Sequence, residues 1–170
     1  MAGPNRVGDL QIDADLDSQR GEWRFERIGW AAMLLVVAAT LLGAFGRGPL
    51  SRAEAGAAGG PLHLRYERLV RHNSPAPLNL ELAPGAAPDG QARVWIDHDY
   101  LEQFDVDHIV PEPESSAAGP DRTTYVFRVA DPTRPARITF GLVPQGFGRL
   151  RARVGLAGQP PVELSQFVFP

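Results

Sequence analysis

The sequence predicts an all-β fold, a two-sheet sandwich of about eight strands behind a single N-terminal transmembrane α-helix. Three observations predict it. Residues 28–45 read IGWAAMLLVVAATLLGAF, an apolar run without a charge. From Pro61 the texture changes to short apolar runs cut by Pro and Gly every 10 to 15 residues or so, the pattern of a sandwich. The 170 residues also include neither cysteine nor lysine, all 17 basic residues being arginine. The first absence excludes a disulfide framework, thiolate zinc sites, iron–sulfur ligation and thiol catalysis. The second excludes a P-loop phosphate clamp, a kinase lysine, a Schiff base and a Ser–Lys dyad.

Residues 1–27 are expected to form a disordered cytoplasmic tail, because the stretch holds Asp9, Asp13, Asp15 and Asp17 and has little to bury. Asp13, Asp15 and Asp17 mimic the start of a calcium loop. Ser18 stands where that loop needs Gly, and Arg24 where it needs Glu.

Residues 28–45 are the transmembrane helix, just long enough to cross most of a ~30 Å hydrocarbon core. Leu34, Leu35, Val36, Val37, Leu41 and Leu42 lie all round such a helix, whereas a surface helix confines its apolar residues to one stripe. Trp23, Arg24, Arg27 and Trp30 before the run and Arg47 after it are the membrane-interface anchors. Arg20, Arg24 and Arg27 outnumber Arg47 and Arg52, which orients the N-terminus inside and the C-terminal part outside the cytoplasm. A cleaved signal peptide with Ala53-Glu54-Ala55 as its A-x-A site is the rival reading. It is disfavoured by the length of the apolar run, the long acidic stretch before it and the distance to that site.

Residues 46–60, rich in Gly and Ala, are expected to be a flexible linker, and residues 61–170 the β domain. Leu62, Leu64 and Tyr66 alternate, after which Arg68-Leu69-Val70-Arg71 breaks the phase as a bulge or a helical turn would. Leu78, Leu80 and Leu82 alternate, and Val94 and Ile96 face away from Trp95. Tyr100, Leu101 and Phe104 have helical spacing. Segments 106–110, 124–129, 138–143, 150–156 and 162–168 complete the strands. In the 150–156 segment the arginines share one face and Leu150, Ala152, Val154 and Leu156 the other, so a one-residue slip would bury the arginines. This strand density fits an immunoglobulin-like β-sandwich without the usual cysteine pair, with a small closed barrel as the runner-up. Phe167 and Phe169 close the last strand, which as a Pro-terminated edge could also augment a partner.

Two charged segments are the candidate sites. The acidic segment 97–114 offers Asp97, Asp99, Asp105, Asp107 and His108 as candidate metal ligands for a divalent cation. Its spacing matches no compact motif, and Pro111 and Pro113 suit an extended, solvated edge. Arg149, Arg151 and Arg153 form a basic stripe whose guanidinium forks suit phosphate headgroups or a partner's carboxylates. Its bland counterpart is a solvent face paired with the acidic segment. Nucleic acid is not an expected partner, because the domain from Pro61 carries 11 arginines against 13 acids. No serine lies in G-x-S-x-G, and His63, His72, His98 and His108 form no H-E-x-x-H helix, so no enzyme and no cofactor are expected.

With GEWRFERIGW before the apolar run, GRGPLS after it, VWIDHDYLEQFDVDHIVPEPES in mid-domain and QFVFP at the end, the chain resembles uncharacterised bacterial single-pass membrane proteins with an extracytoplasmic immunoglobulin-like domain. The resemblance implies topology and class and contributes no catalytic residues. The expected function is a membrane-anchored, non-enzymatic interaction or accessory module at the cytoplasmic (inner) membrane. Its partners would be the lipid bilayer through residues 28–45 and another membrane or envelope protein. The alternative is an extracytoplasmic cation or ligand sensor using segment 97–114.

Overall fold

The computed structural model describes residues 16–41 and 51–170. They fall into two units, a helix and a β domain.

Helix α1 spans Leu16–Leu41 and so begins within the stretch expected to be disordered. Polarity suggested disorder, but Leu, Gln, Arg and Glu propagate a helix well once a neighbouring segment has nucleated it. Arg27 adds a local contact, its guanidinium 4.0 Å over the ring of Trp23 one turn earlier. Apolar side chains from Ile28 to Leu41 are exposed round the whole circumference, Leu41 at 80%. Among the described residues no helix is long and apolar enough to cross a membrane. The tail to residue 15, the end of the apolar run at 42–45, the side chain of Arg24 and Arg47 lie outside the described residues.

The β domain is mostly strand, in two sheets forming a sandwich-like arrangement. Sheet I holds β1 (Arg52–Ala55), β2 (Leu62–Glu67), β4 (Leu78–Leu82), β9 (Ala136–Pro144) and β6 (Phe104–Val110), in the order β1-β2-β4-β9-β6. Sheet II holds β3 (Leu69–Arg71), β11 (Val162–Phe169), β10 (Gly148–Leu156), β5 (Gln91–Asp97), β8 (Arg122–Arg128) and β7 (Ser115–Ala118), in that order. Every pairing is antiparallel except β3 with β11. A one-turn helix α2 (His98–Leu101) follows β5.

Three of the sequence expectations are corrected. The presumed linker at 46–60 contains β1, and its glycines make the turn of the β1–β2 hairpin; Ala53 is buried and Ser51 wholly so. The phase break at Arg68 is where the chain leaves sheet I for sheet II, so Leu69 to Arg71 restart the alternation as β3. The last strand is no edge, because β3 covers one side of β11 and β10 the other. The eleven strands exceed the expected number through β1, β3 and β7, each of three or four residues and too short to print a periodic pattern.

The inward positions of alternating strands fill the core. Leu64, Leu80, Ile138, Phe140 and Leu142 of sheet I meet Val94, Ile96, Phe127 and Val154 of sheet II. Phe140 is packed edge-on against both Tyr125 and Phe127, at 5.2 and 6.1 Å, which fixes one sheet against the other. One buried polar chain pins α2. The Tyr100 hydroxyl donates to Gln166 Oε1 at 2.5 Å, and Gln166 Nε2 donates to the Glu67 carbonyl at 2.8 Å. Burial raises the pKa of both the Tyr100 and the Tyr125 phenol, so Tyr100 stays a protonated donor to Gln166.

Candidate functional site

The outward positions of sheet II build the candidate site. Alternation along β10 buries Ala152 and Val154 and turns Arg149, Arg151 and Arg153 outward, as the sequence pattern requires. On β5 the same rule presents Arg93, Trp95 and Asp97, and on β11 it presents Glu163, Ser165 and Phe167.

These residues are not a uniform basic stripe. Arg153 stands opposite Glu163 on β11, and its guanidinium meets Asp97 of β5 through Nε–Oδ2 at 3.1 Å and Nη2–Oδ1 at 3.3 Å. Asp97 also accepts from the Arg153 amide at 2.9 Å and stands opposite Arg122 on β8. Charges therefore alternate across four strands as Glu163, Arg153, Asp97 and Arg122. The hydrogen bond and charge of Asp97 raise the Arg153 pKa further. Arg153 is thus a structural cation, held within its own sheet.

Trp95 lies beside this row. A Cβ on Gly155 of β10 would come within 2.6 Å of the indole, so only glycine lets the ring lie on the strand. Arg122 stacks on the indole, 5.1 Å from the ring centroid. An open groove of about 550 Å³ runs alongside, lined by Tyr66, Arg151, Arg153, Glu163 and Ser165 among others. Arg151 and Arg149 face Ser165 and Phe167 across β10–β11 and make no ion pair among the described residues.

The acidic segment does not converge. Asp97 belongs to the row on sheet II, and Asp99 lies in the single turn of α2. Asp105, Asp107 and His108 lie on β6 at the edge of sheet I. There Asp105 accepts from Gln145 at 2.8 Å and Asp107 pairs with His108 at 2.9 Å. Among the described residues no three acidic or histidine side chains gather as metal ligands would. Two more acids of the segment have local partners, Glu102 with His98 at 3.3 Å and Glu114 with Arg128 at 2.6 Å.

Comparison with known protein families and with curated proteins gives no match. The site therefore rests on its own geometry. Sequence reasoning found the three arginines and missed Trp95, Arg122 and Gly155 as a unit. The available signal was a tryptophan on the outward phase of a half-buried strand, which marks a ring that must be supported by something.

Proposed function

We propose that the chain is a membrane-anchored, non-enzymatic interaction module at the cytoplasmic membrane. Its N-terminus is inside, and an immunoglobulin-like domain outside presents sheet II to another membrane or envelope protein. One observation carries this reading. The apolar side chains of α1 from Ile28 to Leu41 are exposed round the helix. A surface of that kind needs an apolar environment of its own, and the apolar run of the sequence continues to Phe45.

Strand order supports the immunoglobulin-like reading. Assigning β2, β4, β5, β6, β9, β10 and β11 to successive strands A to G gives A-B-E-D in one sheet and C-F-G in the other, the constant-type arrangement. The β7–β8 hairpin is then an insertion between D and E that lengthens the C edge. The fixed charge row and supported indole favour recognition, because both rigidify a surface in advance of binding.

The absence of cysteine makes the test clean. A single cysteine at Gln159 in the full chain should react with a membrane-impermeant maleimide on intact cells. The chain itself should stay with membranes through alkaline carbonate washing. Recovery in the soluble fraction, or labelling only after permeabilisation, overturns the proposal.

A further inference from the structure

Most arginines of the β domain have partners. Arg65, Arg128, Arg134, Arg137 and Arg153 are each ion-paired, and Arg122 lies over Trp95. Arg93 donates only to Gln91. Arg52, Arg68, Arg71, Arg149 and Arg151 make no ion pair among the described residues, and the last four are not scattered. Leu69 of β3, Phe167 of β11 and Arg149 of β10 form one row across three adjacent strands. Arg71 stands beside Phe169 in the next row, and the Arg68 carbonyl accepts from the Phe167 amide at 2.7 Å. Phe167 is 47% exposed, and Phe147, just before β10 and stacked on His72 at 4.3 Å, is 60% exposed. Unpaired guanidinium groups and exposed rings thus share one corner of the sandwich.

That corner is also where the chain enters the domain. Ser51 is wholly buried, its hydroxyl donating to the Leu69 carbonyl at 2.9 Å and its carbonyl accepting from the Arg68 amide at 2.6 Å. Only five residues separate Ser51 from Phe45, the end of the apolar run. Fully extended chain covers no more than ~3.6 Å per residue, so Ser51 stays within roughly 20 Å of the end of that run. If 28–45 is the anchor, the corner cannot leave the neighbourhood of the bilayer surface.

We infer that the corner formed by Arg68, Arg71, Arg149, Arg151, Phe147 and Phe167 docks on the anionic headgroups of the bilayer that holds the chain's own helix. This rests on the proposed membrane anchoring. Arginine forks bind phosphate oxygens, exposed rings sit at headgroup depth, and a basic cluster beside an anchor is attracted to anionic lipid. The occupant is a lipid surface because the tether brings one to the corner. Glu67 is the acidic neighbour of Arg68 at the edge of the corner, whereas Asp97 and Glu163 lie on the charge row and Glu54 and Glu81 in the network on sheet I. The consequence is a fixed orientation: with this corner down, the turn between β10 and β11 is held away from the membrane and toward a partner.

The test uses the full chain in nanodiscs of phosphatidylcholine alone or mixed with phosphatidylglycerol, with a fluorophore on a single cysteine and a headgroup-nitroxide lipid as quencher. Pro170→Cys places the probe beside the corner, and Gln159→Cys places it at the opposite end of β10. Quenching at 170 should exceed that at 159 severalfold in the anionic discs. It should fall to the phosphatidylcholine level in high salt and in the combined Arg68→Ala, Arg149→Ala and Arg151→Ala variant. Each single substitution should weaken the anionic-lipid response by about fivefold. Equal quenching with and without anionic lipid, an unaffected triple variant, or equal quenching at 159 overturns the inference. So does a comparable response to a deca-glutamate peptide in phosphatidylcholine discs, which would make the corner a site for acidic protein segments. Insertion into neutral discs reads the anchor separately. A chain that does not insert defeats the anchoring and the corner together, whereas one that inserts without an anionic-lipid response defeats the corner alone.

Discussion

The two outer faces of the sandwich use the same residue types in opposite ways. On sheet I the charges close on themselves: Glu54 meets Arg65 at 3.1 Å, Arg65 meets Glu81 at 3.0 Å, and Glu81 meets Arg137 at 2.7 Å. His63 adds to Glu54 at 3.3 Å. Four strands are crossed by one network, with Arg52 of β1 outside it at the chain's point of entry. On sheet II the row from Glu163 to Arg122 is equally regular, yet one step toward the chain's point of entry it stops, and Arg151 and Arg149 face a serine and a phenylalanine. Exposed pairs of this kind each contribute only ~0 to 1 kcal/mol, so stability alone does not explain why one face is neutralised and the other is not. The difference teaches that sheet II leaves charges uncompensated within the domain, and the proposed lipid docking is what would supply their counter-charges.

The comparison presumes that both faces belong to one cooperative unit, and the core is where that presumption can be broken. Phe140 is fully buried between the sheets, against Tyr125 and Phe127. Phe140→Ala should cost about 3 to 5 kcal/mol, the usual range for emptying an aromatic site in a core. Denaturant unfolding followed by probes on each face should show one shifted transition. Two separated transitions would mean that each sheet keeps its own stability, and the faces could no longer be compared as parts of one body.

A second, smaller effect sharpens the contrast. Each face carries a ring lying across a glycine, His108 on Gly141 in sheet I and Trp95 on Gly155 in sheet II. A Cβ at Gly141 would meet the imidazole at 2.3 to 2.8 Å, but that side chain is 56% exposed on an edge strand and is free to swing away. Trp95 is larger, half-buried and capped by Arg122. Gly155→Ala should therefore cost about 1 to 3 kcal/mol, and Gly141→Ala under about 1 kcal/mol. With Trp23 and Trp30 replaced by Phe, the emission of Trp95 should shift in the first variant and stay unchanged in the second. Equal costs would show that the indole is no better fixed than the imidazole, and that sheet II is not the more rigid face.

The alternation of 150–156 was legible because burial on one side and charge on the other leave a single register; β4, β5, β8, β9 and β11 were readable for the same reason. The short strands were not. Ser115 to Ala118 carry no apolar signal, and β7 exists because the exposed edge of β8 offers it a ladder. β1 was hidden inside a Gly- and Ala-rich composition that a hairpin turn and a linker share. The arginines of the site could be named from period two alone, but which of them are held and which are free could not. Asp97 lies 56 residues from Arg153 in sequence, and only the β5–β10 pairing brings them together. Trp95, Arg122 and Gly155 were invisible as a unit for the same reason, since each comes from a different strand.

The smallest expected effect concerns the loop that carries the chain from β8 in sheet II to β9 in sheet I, and it tests whether a charge can be satisfied without either face. Asp131 accepts from the Thr133 hydroxyl at 2.6 Å and from the Thr133 amide at 3.0 Å, and these bonds lower its pKa. A carboxyl whose folded value is lowered contributes stability above its unfolded pKa and loses that contribution as pH falls through the folded value. Its share of stability is therefore complete at neutral pH and vanishes only in strong acid. Thr133→Ala removes the hydroxyl and keeps the amide. The Asp131 titration followed by NMR should move upward, part of the way to an ordinary carboxyl, while the amide shifts of β4 and β5 stay where they were. If those amides move with it, the loop is coupled to the two faces, and its charge is not satisfied locally.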